Sequence, residues 1–182
     1  VLAPTLDEEM VTARSKAYVI LDGTVRPIDW GHLPAEGWGE IAADRPYCSG
    51  RKRHHGMKVQ VLTDPFGQHL WASPALPGAT HDLTVAREHG IIDALVDADL
   101  KCWADKAYQG AARNVRVPFK GGRLKRWQRR HNTTHAKIRC VGEQAMATLK
   151  CWRLLRKLRC STNRITAVVK AVLTLHLAAA SG

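Results

Sequence analysis

With 182 residues, a formal net charge of +12 and a pI near 9.9, the chain suits one domain with a sizeable core rather than two full domains. Such a charge points to a polyanionic partner, nucleic acid before an anionic membrane surface, and away from a small-molecule substrate. It is also unevenly spread: residues 1–100 sum to −5 and residues 101–182 to +17, so the basic surface belongs to the second half.

In chain order, "AYVILDGT" (17–24) reads as a strand running into an Asp-Gly turn, with "TVRPI" (24–28) as its partner strand. A loop rich in Gly, Pro and Trp leads to Tyr47. "GMKVQVLTD", the turn "DPFG" and "QHLWASPAL" form a hairpin over 56–76, which "PGATHD" then breaks. A helix is predicted over 82–96, capped by Asp82 or Thr80 and weakened at Gly90. "LKCWADKAY" is a short apolar run ending at Asp105, "VRVPF" (115–119) a further strand, and "KGGRLKRWQRRHNTT" (120–134) a basic, flexible loop. Two helices finish the chain, over about 134–158 and 162–179, the second apolar enough to be largely buried. This order fits an α/β sheet covered by helices.

The five cysteines (Cys48, Cys102, Cys140, Cys151, Cys160) make no CxxC pair and fit buried thiols in a reducing cytosol better than disulfides or zinc ligands. His54, His55, His69 and His131 likewise lack a zinc spacing. The most apolar stretch, "AVVKAVLTLHLAAA", is interrupted by Lys170 and His176 and is too short to span a bilayer.

Only two acids, Asp105 and Glu143, occur between Lys101 and the C-terminus. Asp105 ends one strand, Asp22 ends another, and Glu143 falls on the following helix, so three carboxylates are placed to converge at the edge of a sheet. Each has a plainer explanation alone: Asp22 as a turn residue before Gly23, Asp105 as a turn or ion-pair partner of Lys106, Glu143 as one rung of an ion-pair ladder with Arg139 and Lys150. Helical facing puts Ile138, Val141, Ala145, Leu149 and Trp152 on the stripe toward the sheet, and Arg139, Glu143, Met146 and Lys150 on an adjacent ridge. The conjunction favours a site. Three gathered carboxylates repel one another unless a cation joins them, and oxygen-only ligation suits Mg²⁺ or Mn²⁺.

The segments "LDGT" (21–24), "RKRHHGMKVQVLTDPFGQHLWASPALPGATHD" (51–82), "ADKAYQG" (104–110) and "RCVGEQAMATLKCWRLLRKLRC" (139–160) resemble the catalytic domain of bacterial insertion-sequence DDE transposases, in the branch related to Harbinger-type elements. The resemblance runs from about residue 17 to near the end of the chain. It implies an RNase H-like mixed β-sheet flanked by α-helices, and cytoplasmic, nucleoid-associated DNA cleavage and strand transfer with two Mg²⁺ or Mn²⁺ ions. Asp22, Asp105 and Glu143 would be catalytic residues and metal ligands, with Asp82 of the "HD" pair a further ligand or, more plainly, a helix cap. Arg51, Lys52, Arg53, His54, His55, Lys106, Arg139 and Lys150 would contact DNA. Element ends, target DNA and a homo-oligomeric transposition complex would be the partners.

The tyrosine often found three residues before the arginine is Ala136 here, so the expected contact to the DNA backbone is either lost or moved to the neighbouring His135. The family's N-terminal helix-turn-helix segment is expected to be absent, leaving weak and salt-sensitive DNA binding. Of the tryptophans, Trp71, Trp103 and Trp152 fall on core positions, and Trp127, among basic residues, is the candidate for stacking on a base. Two alternatives stand beside the transposase: a stand-alone RNase H-like nuclease, and a non-catalytic DNA-binding relic, against which the intact Asp22, Asp105 and Glu143 set speaks.

Overall fold

The computed structural model describes residues 3–27, 45–49, 54–156, 158 and 162–180. The chain is a mixed α/β sheet covered by helices on both faces, the RNase H-like arrangement expected. Helix α1 (Leu6–Ala13) starts from a reciprocal cap between Thr5 and Glu8. Strands β1 (Val19–Pro27), β2 (Cys48–Ser49), β3 (His54–Thr63), β4 (His69–Ala72) and β5 (Leu76–Pro77) follow, then helices α2 (Asp82–Glu88) and α3 (Ile91–Asp97). Strands β6 (Cys102–Ala104) and β7 (Val115–Arg116) complete the sheet, and α4 (Arg126–Cys151), α5 (Arg153–Arg156) and α6 (Thr162–Ala180) end the chain.

The sheet order is β2-β3-β1-β6-β7, with β4 and β5 also paired to β3. β1 is antiparallel to β3 and parallel to β6, as is β6 to β7. Because side chains alternate along a strand, β1 and β3 feed two separate cores. Val19, Leu21 and Leu62 face α1 and α3 with Ile91, Leu95 and Cys102. Met57, Val59 and Val61 face α4 and α6 with Met146, Leu149, Ile165, Val169 and Leu173.

Several boundaries differ from the sequence reading, each for a local reason. Asp22 and Gly23 do not turn: β1 continues through them in unbroken register with β3, from Ile20 opposite Thr63 to Pro27 opposite Gly56. What was read as a partner strand is therefore the same strand, and Gly23 serves a close approach described below. The predicted helix over 82–96 is two helices, broken where Gly90 adopts φ 68°. Its cap is His81, which accepts from the Leu83 amide, in place of Asp82 or Thr80. The 56–76 hairpin forms, its turn held by buried Asp64, which accepts from Phe66 and Gln68 and pairs with Lys16 at 3.2 Å.

The largest difference is α4, which begins at Arg126 inside the stretch read as a basic loop. Tertiary contacts supply what the local pattern lacks: Asn132 brackets the Phe119 backbone, donating to its carbonyl and accepting from its amide, and His131 stacks on Trp103. Met146, assigned to the exposed ridge, is buried against β3. Of the cysteines expected to be buried, Cys102 is, its thiol pushed up to about 12 by burial, whereas Cys140 and Cys151 are exposed. Cys160 lies outside the described residues. Among those described, no helix is long and apolar enough to cross a membrane.

Helix α4 packs tightly on β1 at Gly142, where a β-carbon would lie 2.7 Å from Ile20 Cγ2. In a free helix Gly→Ala gains about 1 kcal/mol; here the overlap reverses the sign. Gly142→Ala is expected to lower the unfolding free energy by about 1–3 kcal/mol, the usual cost of overpacking, measured by urea denaturation.

His69 is buried against His176, their rings 4.6 Å apart, and burial, then the second imidazole, lowers its pKa to about 4. Below the ordinary histidine value of about 6.5 the unfolded chain takes up a proton that the folded chain refuses until about pH 4. Stability should fall as pH drops across that window, and His69→Gln should flatten the slope of urea midpoint against pH there.

Candidate active site

Asp22 lies on the β1 face that carries Ile20, directed toward α4. Its strand neighbour β6 stops at Ala104, opposite Leu21, so Asp22 is the first β1 residue beyond the parallel pairing, and Asp105 leaves β6 at the same level. Asp105 then turns the chain: its carboxylate accepts from the Lys106 amide at 2.6 Å and Tyr108 N–H bonds its carbonyl. Helix α4 brings Arg139 and Glu143 over this edge, one turn apart.

The three carboxylates meet on one guanidinium. Arg139 Nη2 lies 3.1 Å from Asp22 Oδ1 and 3.4 Å from Glu143 Oε1, and Nη1 lies 3.0 Å from Asp105 Oδ1. The contact with Asp22 is a hydrogen bond, and the Gly23 amide donates to the same oxygen at 3.1 Å. Arg139 is largely buried, whereas the Glu143 side chain is 63% exposed. Burial raises the Asp22 pKa; Arg139 and the Gly23 amide oppose the shift, Asp105 adds to it, and Lys150 opposes it.

Asp82 is not gathered with these three. It lies across β1, against Gly23, where a β-carbon would come within 2.6 Å of Asp82 Oδ1 and 3.3 Å of Tyr108 Oη. A side chain at this position would push the Asp82 carboxylate aside. Asp82 is paired with largely buried Lys58 at 3.2 Å, and Lys58 also donates to the Thr80 carbonyl while Gln60 donates to the Asp82 carbonyl. Tyr108 is buried beside them, its hydroxyl pKa raised first by burial and then by Asp82 and Asp22.

The remaining expected residues divide. Lys106 and Lys150 are exposed near the carboxylates. His55 is buried in β3 and so is not on the DNA-facing surface expected of it. His135 is buried too: its Nε2 meets the Ala104 carbonyl at 3.0 Å, fastening α4 to the strand that delivers Asp105, so the backbone contact expected there is replaced by a structural one. Ala136 is exposed beside it. Arg51, Lys52, Arg53 and the side chain of His54 lie outside the described residues.

The sequence reading passed over Lys58, Gly142 and the fastening role of His135. Lys58 and Gln60 had a signal: polar residues in a strand whose two faces are both buried need partners. Gly142 and His135 had none, because both act through contacts with residues more than thirty positions away.

A family model described as DDE superfamily endonuclease matches residues 21–176. The chain belongs to this family. No curated protein and no solved structure matches it. In a DDE superfamily endonuclease DNA is the implied substrate, and divalent metal use is general.

Whether these residues suit such an ion can be judged from their chemistry. Among the described residues, no three His, Cys, Asp or Glu side chains are disposed to hold a metal ion, and the Arg139 guanidinium stands between the carboxylates. In donor type the three carboxylates nevertheless suit a hard divalent cation, being all oxygen and gathered on one guanidinium.

Removing the guanidinium should expose the repulsion it offsets. In Arg139→Gln, the Asp22 carboxyl is expected to titrate at still higher pH than in the parent protein, read by carbon-detected NMR of the side-chain carboxyl. An unchanged or lowered titration point would contradict the pairing.

Proposed function

We propose that this DDE superfamily endonuclease is the catalytic core of an insertion-sequence transposase of the Harbinger-related branch, cutting element ends and joining them to target DNA. One observation carries the reading: Asp22, Asp105 and Glu143, from a central strand, the next parallel strand and the covering helix, share a single guanidinium at the sheet edge. A structural ion pair needs one carboxylate, whereas three gathered on one guanidinium make an all-oxygen donor set of the kind a divalent cation takes.

In this reading Asp22 and Asp105 hold divalent ions, Mg²⁺ or Mn²⁺, from fixed backbone positions, and exposed Glu143 completes the set. Bound ions supply a lowered pKa for the attacking water or 3′-hydroxyl and charge neutralisation at the leaving oxygen. The chain's own part is placement. Partial burial of Asp22 strengthens its electrostatic contacts, Arg139 offsets the mutual repulsion of the carboxylates and with ions bound would be available to a phosphate, and Lys106 and Lys150 hold flanking phosphates. Arg51, Lys52, Arg53 and His54 extend that track, without His55. Asp82, already paired with Lys58, supports Gly23 and α2 from the opposite face and is left out of the ion-binding set.

The test uses pre-cleaved element ends, Mg²⁺ and a plasmid target. Asp22→Asn, Asp105→Asn and Glu143→Gln should each reduce cleavage and joining by on the order of 10²–10³-fold or more, the scale for losing one electrostatic group, with circular dichroism and DNA retention unchanged. Full activity in Asp105→Asn would overturn the assignment. Nicking without joined products would favour a stand-alone nuclease, and binding without cleavage a relic.

A further inference from the structure

Away from the carboxylates, a chain of aromatic rings runs from the sheet to the surface. Trp103, two residues before Asp105, stacks on His131 with ring centroids 5.8 Å apart and planes 28° from parallel. His131 meets Phe119 edge-on at 5.0 Å, and Phe119 meets Trp127 edge-on at 4.9 Å. The outermost ring is not covered: Trp127 is 58% exposed and Phe119 37%. Nor is the arrangement loose, because Asn132 holds the Phe119 backbone at 2.8 and 3.0 Å. Beside the rings opens a cleft of about 480 Å³, lined by Gly121, Gly122, Arg123, Leu124, Lys125 and Arg129. The surrounding sequence from Lys106 to Gly142 contains eleven Lys and Arg and no acid.

Exposed, rigidly backed aromatic rings next to a cationic cleft match the two needs of a nucleic-acid strand, a stacking surface for bases and positive charge for phosphates. Paired bases inside a duplex offer no free face, so the feature selects a strand that is unpaired or frayed. We propose that Trp127 and Phe119 form a stacking platform for an unpaired base of DNA whose phosphates lie along Arg123, Lys125 and Arg129. Twelve residues of α4 separate Trp127 from Arg139, about 18 Å at 1.5 Å per residue. Over that distance the stacked base lies a few nucleotides from the carboxylates. The substrate class is thus DNA with a single-stranded flank, a refinement that rests on the DNA-processing reading above.

The test is binding without metal, using the full chain and two oligonucleotides with the same duplex: one blunt, one carrying a short single-stranded flank with 2-aminopurine. Trp127→Ala should weaken binding to the flanked DNA about tenfold, a typical loss for one stacked base, and leave the blunt duplex unaffected. Trp127→Phe should retain most of the affinity. Quenching of 2-aminopurine on binding should appear with the parent protein and vanish with Trp127→Ala. Arg129→Gln should instead reduce the salt dependence of binding by about one ion, which Trp127→Ala should not. Equal losses on both DNAs, or none, would overturn the platform alone. Failure of the parent protein to bind either DNA would overturn the DNA reading with it.

Discussion

Helix α4 rests on β1 where Gly142 presents no side chain and its backbone meets the side chain of Ile20, and the geometry of the site follows from that contact. Gly142 lets the helix backbone settle on Ile20, which brings the flanking turn, with Arg139 and Glu143, within reach of Asp22 two residues along the strand. A second fastening, from His135 to the Ala104 carbonyl, ties the same helix to β6 just before Asp105. Between these two points the helix cannot roll without breaking a buried contact. The charged groups are therefore held together by apolar packing and one hydrogen bond to backbone, and their mutual attraction need not position them. That division suits a cluster of like charges, whose own electrostatics would drive it apart.

The sheet also keeps two sets of charges separate. Asp22 and Gly23 are adjacent in sequence, yet one faces α4 and the other faces α2, because strand residues alternate. On the first face three carboxylates share Arg139, with Lys106 and Lys150 exposed nearby. On the second, Asp82 is matched by Lys58, and Gln60 bonds its backbone carbonyl. A one-to-one pair is complete as it stands, whereas three carboxylates gathered on one guanidinium form a donor set. This asymmetry separates the candidate catalytic face from a supporting one, and it explains an "HD" pair that sequence alone left between ligand and cap.

Much of this was legible in the residues. The charge division between halves, the isolation of Asp105 and Glu143 among basic residues, and the hairpin around "DPFG" each rest on local composition or turn chemistry, and local signals survive folding. The start of α4 was not legible, since "KRWQRRH" carries no apolar stripe and is helical because Asn132 and His131 find partners in the 115–119 segment and β6. Asp22-Gly23 misled for the opposite reason: its turn preference is real but weak, and eight consecutive pairings with β3 override it.

By itself, then, the sequence determined which groups are available: three acids with no competing ligands, a basic half, and the α/β order that brings strand ends to one edge. It also placed Glu143 one helical turn from Arg139, since that spacing is a property of any helix. Only the tertiary structure decided that Asp22, Asp105 and Glu143 share one guanidinium, that Asp82 belongs to the other face, and that His55 and His135 are interior. These outcomes depend on register and on the distance between layers, which are set by contacts between residues tens of positions apart and leave no periodic mark along the chain.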